Sequence, residues 1–174
     1  MDSYLAQLQQ ELEDAIAGAN SADLARGPAG KWNPAQILEH LYLTYRGTNY
    51  GIEKCLENQT PLVSSATIKH RIGRFLICNL GFVPRGFKAP ERTRPQGMPV
   101  EELLQSIFPE IQRLDCGLAN LEKKFGGETK ILDHPRIGPL TAGQWRKFHL
   151  EHGRHHARQI RQRLVRADSE RSGK

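Results

Sequence analysis

Apolar residues recur every three or four positions in four stretches of the chain, the spacing that lines one face of an α-helix. Leu5, Leu8, Leu12 and Ile16 predict an amphipathic helix over about residues 2–18. Gly18 and the following Ala-Asn-Ser end it, and residues 19–31, rich in Gly, Ala and Pro, read as a loop. Asn33-Pro34 then marks a helix start. Asn caps a free N–H, and Pro at the first helical position already has the required φ. Ile37, Leu38, Leu41, Tyr45 and Ile52 carry that stripe to about residue 56. Gly47 and Gly51 lower its helix propensity and leave room for another element or a ligand to come close.

Residues 66–80 predict a third, shorter helix. The stretch GFVPRGFKAPERTRPQGMP at 81–99 has four prolines and three glycines, so it reads as a long ordered loop, either a cover over a site or a plain connection. From Val100 to Phe125 the stripe is Leu103, Leu104, Ile107, Ile111, Leu114, Leu118 and Leu121, and Gly126-Gly127 ends it. Pro109 inside that stretch is expected to kink or break the helix. Residues 130–140 look irregular. Thr141 with Gln144 three residues on suggests a capping box opening a last helix that runs to about Arg166. There is no internal repeat and no alternating strand pair. The expected fold is all-α: a four-helix bundle with an additional short helix and a long Pro/Gly-rich loop. It forms one domain over residues 1–168, with a frayed tail at 169–174.

Composition narrows the class. The chain has 174 residues, enough for one domain with a sizeable core. The N-terminus lacks the basic segment and apolar run of a signal peptide, and no apolar stretch reaches the length of a membrane span. Cys55, Cys78 and Cys116 lie far apart with no CxxC, which argues against a disulfide framework or a thiolate zinc site and fits a reducing cytoplasm. The net charge is +6, with much of the excess in Arg154, Arg158, Arg161, Arg163 and Arg166. Those arginines read as a solvated helix face. A nucleic-acid surface would want interleaved aromatics or a known module, and neither is present.

The chemistry concentrates in FHLEHGRHHARQI at 148–160, which holds four of the seven histidines. They are not a contiguous terminal run, so they are not a tag. At about 100° per residue, Trp145, Phe148, His149, His152, His156 and Ile160 share one arc, with Arg154, Arg158 and Glu151 opposite and His155 at the edge. The arc is apolar apart from its histidines, so it should face the core. Two imidazoles at i and i+4 can share one cation, and two neutral neighbours held on an inward face suit that use. Core packing of the same residues is the alternative, because HxxxH is a weak signal by itself. A third ligand must come from elsewhere: His40, on the edge of the second helix's apolar arc, His70, His134, His149 or a carboxylate such as Glu39. His70 and His134 lie in more polar surroundings. His134, in a loop before Pro135, is the weaker candidate.

WNPAQILEHL on an early helix together with HLEHGRHHARQI on the last resembles the DinB/YfiT-like metal-binding superfamily. The first pattern places a His after Trp-Asn, here His40. The second places an HxxxH step before Gln-Ile, here His152 and His156 before Gln159-Ile160. HPRIGPLTAGQWRKFHLEH further resembles an uncharacterised branch of that superfamily. The resemblance implies a four-helix bundle with a three-histidine site for a divalent ion such as zinc, nickel or manganese, and a homodimer in many members. It also implies, for some relatives, a thiol-dependent transferase using a low-molecular-weight thiol (bacillithiol, mycothiol or glutathione) and a small electrophilic substrate. On that basis His40, His152 and His156 are the expected ligands. His149 is an additional ligand, a substrate contact or packing, and Glu39 and Gln159 orient the imidazoles from behind. Tyr45, Arg85 and Arg92 are candidate substrate contacts. A metal-dependent hydrolase, and a non-catalytic bundle around a structural ion, remain the alternatives. Three imidazoles do not identify the metal.

Overall fold

The apolar stripes close on one another in the computed structural model of the chain, which describes residues 1–65, Gly73 and 89–172, with side chains as far as Val165. The helix expected over 66–80, with His70, and the first part of the 81–99 loop, with Arg85, lie outside the described residues. Helix α1 (Ser3–Ile16) starts at Asp2, whose carboxylate accepts the Tyr4 N–H. Helix α3 (Pro34–Glu57) starts as expected at Asn33-Pro34. There Asn33 and Gln36 satisfy each other's backbone N–H in a capping box. Between them lies α2 (Ser21–Leu24), a single turn inside what the sequence suggests is loop. Asn20 and Asp23 form a second capping box, and buried Leu24 anchors the turn.

Helices α4 (Val100–Phe125) and α5 (Ala142–Ser172) complete the bundle. The tightest seams are α3 on α4 and α1 on α5, and the two pairs meet mainly across α3 and α5. Leu5, Leu8, Leu12, Ile37, Leu38, Leu41, Ile107, Ile111, Leu118 and Ile160 are all fully or almost fully buried, so the stripes read from sequence are the core. All-α bundle architecture is therefore what the chain adopts.

Two expectations need correction. Helix α4 is not broken by Pro109. The proline is exposed, while six buried apolar residues hold both halves of the helix to the core. Residues 130–140 are not irregular: β1 (Leu132–His134) pairs antiparallel with β2 (Gly138–Leu140), Leu132 opposite Leu140 and His134 opposite Gly138. Leu62 adds a parallel bridge to Leu132. Three-residue strands are too short to show alternation, and Pro139 hides the second one. Helix α5 also continues past Arg166, to Ser172. No Pro or Gly interrupts the chain there before Gly173.

Gly51 and Gly153 matter for close approach. A Cβ on Gly51 would lie 2.7 Å from Leu132, which is how the sheet comes down onto α3. A Cβ on Gly153 would lie 2.1 Å from Leu8, on the α1–α5 seam. Gly153→Ala is therefore expected to destabilise the fold by about 1–3 kcal/mol. Gly47→Ala, exposed in α3 with nothing within 4 Å, should instead stabilise it by about 0.5–1 kcal/mol. Urea unfolding of both variants measures this. A Gly153→Ala midpoint at or above that of the parent chain would contradict the packing.

Candidate metal centre

Helix periodicity places His152 and His156 one turn apart on the inner face of α5, and α3 brings His40 against them. One nitrogen from each of His40, His152 and His156 lies within 4.8 Å of the other two. The ring centroids are 5.3 Å apart for His40–His152, 5.0 Å for His40–His156 and 4.6 Å for His152–His156. His40 and His156 are buried.

Outer hydrogen bonds decide which nitrogen each ring offers. His40 Nδ1 lies 2.8 Å from the Thr93 carbonyl, so it carries the proton and the Nε2 lone pair is free. His156 Nδ1 lies 2.8 Å from Gln159 Oε1, which fixes the same tautomer there. The Gln159 amide is oriented by its other end, 3.0 Å from His155 Nε2. His156 Nε2 in turn lies 3.1 Å from His152 Nε2. A tetrahedral shell with Zn–N bonds of about 2.05 Å separates its donors by about 3.3 Å, so this pair is spaced as two ligands of one ion would be. His152 Nδ1 is buried with no hydrogen-bond partner among the described residues. That ring is therefore held by packing, stacked 5.4 Å from Phe148 at 12°.

Electrostatics keep the cluster neutral. Burial lowers His156 to about 3, with the charge His40 would carry adding to the effect and the Gln159 bond opposing it. Burial, then the neighbouring imidazoles, holds His152 well below 6.5. His40 is lowered by burial, against the pull of its Thr93 bond. Neutral imidazoles keep their lone pairs at neutral pH, as a divalent ion requires. The donor set and its spacing thus fit such an ion.

The other candidates divide. His149 is fully buried but stands outside the group, boxed by Tyr45, Trp145 and Phe148 at centroid distances of 5.4, 5.5 and 5.1 Å, and burial lowers it to about 3. Among the described residues neither of its ring nitrogens has a hydrogen-bond partner. Tyr45 is equally buried in that box, and burial raises its hydroxyl pKa. Gln159 lies behind His156, whereas among the described residues no hydrogen bond joins Glu39 to an imidazole. Its buried carboxylate accepts the backbone N–H groups of Gln96 and Gly97 at 2.7 and 3.1 Å. Together with the Thr93–His40 bond this ties residues 93–97, the end of the Pro-rich loop, onto α3 beside the centre. Sequence reasoning missed Thr93, because it acts through a backbone carbonyl and any residue type supplies one. It also missed Trp32 as a wall, 5.3 Å from His40.

The arginine face is largely occupied. Arg154 reaches Glu11 and Glu151, Arg161 reaches Glu11, and Arg163 donates to the Trp32 carbonyl. Among the described residues no helix is long and apolar enough to cross a membrane.

A family model described as the DinB superfamily matches residues 4–160, which includes every residue of the cluster. No curated protein and no solved structure matches the chain significantly.

Proposed function

We propose, from the premise that the chain belongs to the DinB superfamily, that it holds one divalent ion on His40, His152 and His156 and works as a metal- and thiol-dependent transferase. The observation that carries this is the three-imidazole cluster itself, neutral and spaced for one ion. A bound zinc, nickel or manganese ion would lower the pKa of a thiol or water brought to it. The chain's own residues do the rest. The Thr93 carbonyl and Gln159 fix the tautomers of His40 and His156, so their lone pairs need no rearrangement. Trp32 and Phe148 wall the cluster with apolar surface and keep bulk water away. His149 stays in its aromatic box, so the described residues offer three nitrogens rather than the closed set of four typical of a structural site.

The test is the zinc-loaded protein with a low-molecular-weight thiol and chlorodinitrobenzene. The thiol sulfur bonds to the ring carbon, chloride leaves, and the thiol proton passes to solvent. Thioether formation about 10-fold or more above the metal-free protein is expected. Ester hydrolysis without any thiol would favour the hydrolase. Bound metal with neither activity across a panel of thiols would leave a structural ion.

A further inference from the structure

The HPRIG turn between β1 and β2 presents one more imidazole to this region. His134 ends β1 opposite Gly138, and its Nδ1 accepts the backbone N–H groups of Arg136 at 3.1 Å and Ile137 at 3.3 Å. Two donors aimed at one ring nitrogen require a lone pair there. The neutral ring therefore carries its proton on Nε2. Among the described residues nothing hydrogen-bonds to Nε2. Closing a tight turn explains the Nδ1 contacts, but Asn or Asp closes such turns with a side-chain oxygen. What an imidazole adds is a second nitrogen, an N–H left for another partner.

That donor is held beside the metal centre. The His134 ring packs against Phe148 at 4.4 Å, and Phe148 is stacked on His152. Trp145 braces it at 5.7 Å. The residue is half-buried. Burial, then the charges of Arg136 and Arg92, lower its pKa to about 4, so it stays a neutral donor at neutral pH. Arg92 immediately precedes Thr93, whose carbonyl holds His40. It is exposed and has no carboxylate partner among the described residues, while its neighbour Glu91 pairs with Arg94 at 2.6 Å.

We infer that His134 Nε2–H and the Arg92 guanidinium form an oxyanion-recognising rim at the three-histidine centre, which takes a small molecule bearing a carboxylate or phosphate. The inference rests on the metal-centre reading above. A neutral N–H and a guanidinium fork both serve an anionic oxygen, and neither can serve a cation. The same tautomer excludes His134 as a metal ligand through Nε2, because a lone pair there would protonate Nδ1 and expel both turn bonds. His134 is thus a recognition residue rather than a ligand.

Long-range proton–nitrogen NMR of the zinc-loaded, full-length protein tests this, with acetate and inorganic phosphate as probes. The expected spectrum shows His134 with Nδ1 unprotonated and Nε2 protonated, and the Nε2–H resonance moves on titration with at least one probe. The tighter probe identifies the anion class. His134→Asn, which keeps a turn acceptor, and Arg92→Gln, exposed and remote from the core, should each weaken binding about 10-fold or more at unchanged zinc stoichiometry. A proton on Nδ1, a resonance unmoved by either probe, or affinities within twofold of the parent in Arg92→Gln would overturn the rim while leaving the metal centre standing. Failure of the parent protein to bind zinc would overturn the centre itself, and the rim as its substrate site with it.

Discussion

His152→Ala is expected to abolish stoichiometric divalent metal binding, and His40→Ala to do the same. Each removes one of three nitrogens gathered within 4.8 Å, and two imidazoles form a much weaker site than three. Loss of a single outer-shell partner typically costs 10–100-fold in affinity, so loss of a ligand should cost at least about 100-fold. His149→Phe is the control. Its ring lies outside the group in an aromatic box, so the variant should retain its metal. Mass-spectrometric metal analysis of dialysed protein reads all three. Stoichiometric metal at parent affinity in His152→Ala would refute the assignment. Equal loss of metal in His149→Phe would instead bring His149 into the shell.

Acidification of the metal-free protein should produce the second large effect. Folding holds His149 and His156 at about 3, chiefly through burial, whereas an unfolded histidine titrates near 6.5. Between those values the unfolded chain binds more protons than the folded one, so stability falls as pH falls. The contribution of these histidines is complete above pH 6.5 and is lost progressively towards pH 3. At pH 5.5 each costs about 1.4 kcal/mol, so the two together remove about 3 kcal/mol of a typical total of 5–15 kcal/mol. His152, also held well below 6.5, acts in the same direction. Urea midpoints of the metal-free protein should drop between pH 7.5 and 5.5, and His149→Phe should shrink that drop. A midpoint independent of pH over this range would show that these rings are not buried as described. Bound metal should shift the loss to lower pH, because protons must then compete with the ion for the same lone pairs.

Both expectations depend on residues whose legibility differed. His152 and His156 could be read directly, because i and i+4 on one helix are neighbours whatever the rest of the chain does. His40 could not be selected from helix geometry alone. It stood among several candidates until WNPAQILEHL was matched to a family pattern, since a partner more than a hundred residues away leaves no periodic trace. Gln159 was legible for the same local reason as His156. Adjacency to His40 in sequence puts Glu39 on a different side of α3, where it meets the backbone of Gln96 and Gly97. His134 looked like a polar loop residue because three-residue strands carry no alternation, so nothing marked the turn that orients its ring.

The sequence by itself determined the four long helices, their caps at Asn33 and Thr141, their buried stripes and the HxxxH step, all of which follow from contacts between residues a few positions apart. Tertiary structure alone decided that α3 brings His40 to that step, that the Thr93 carbonyl fixes its tautomer, that His149 lies in an aromatic box and that the His134 ring packs on Phe148. Those outcomes depend on how separate elements cross and on which backbone carbonyls and ring faces then meet, and local periodicity does not encode either.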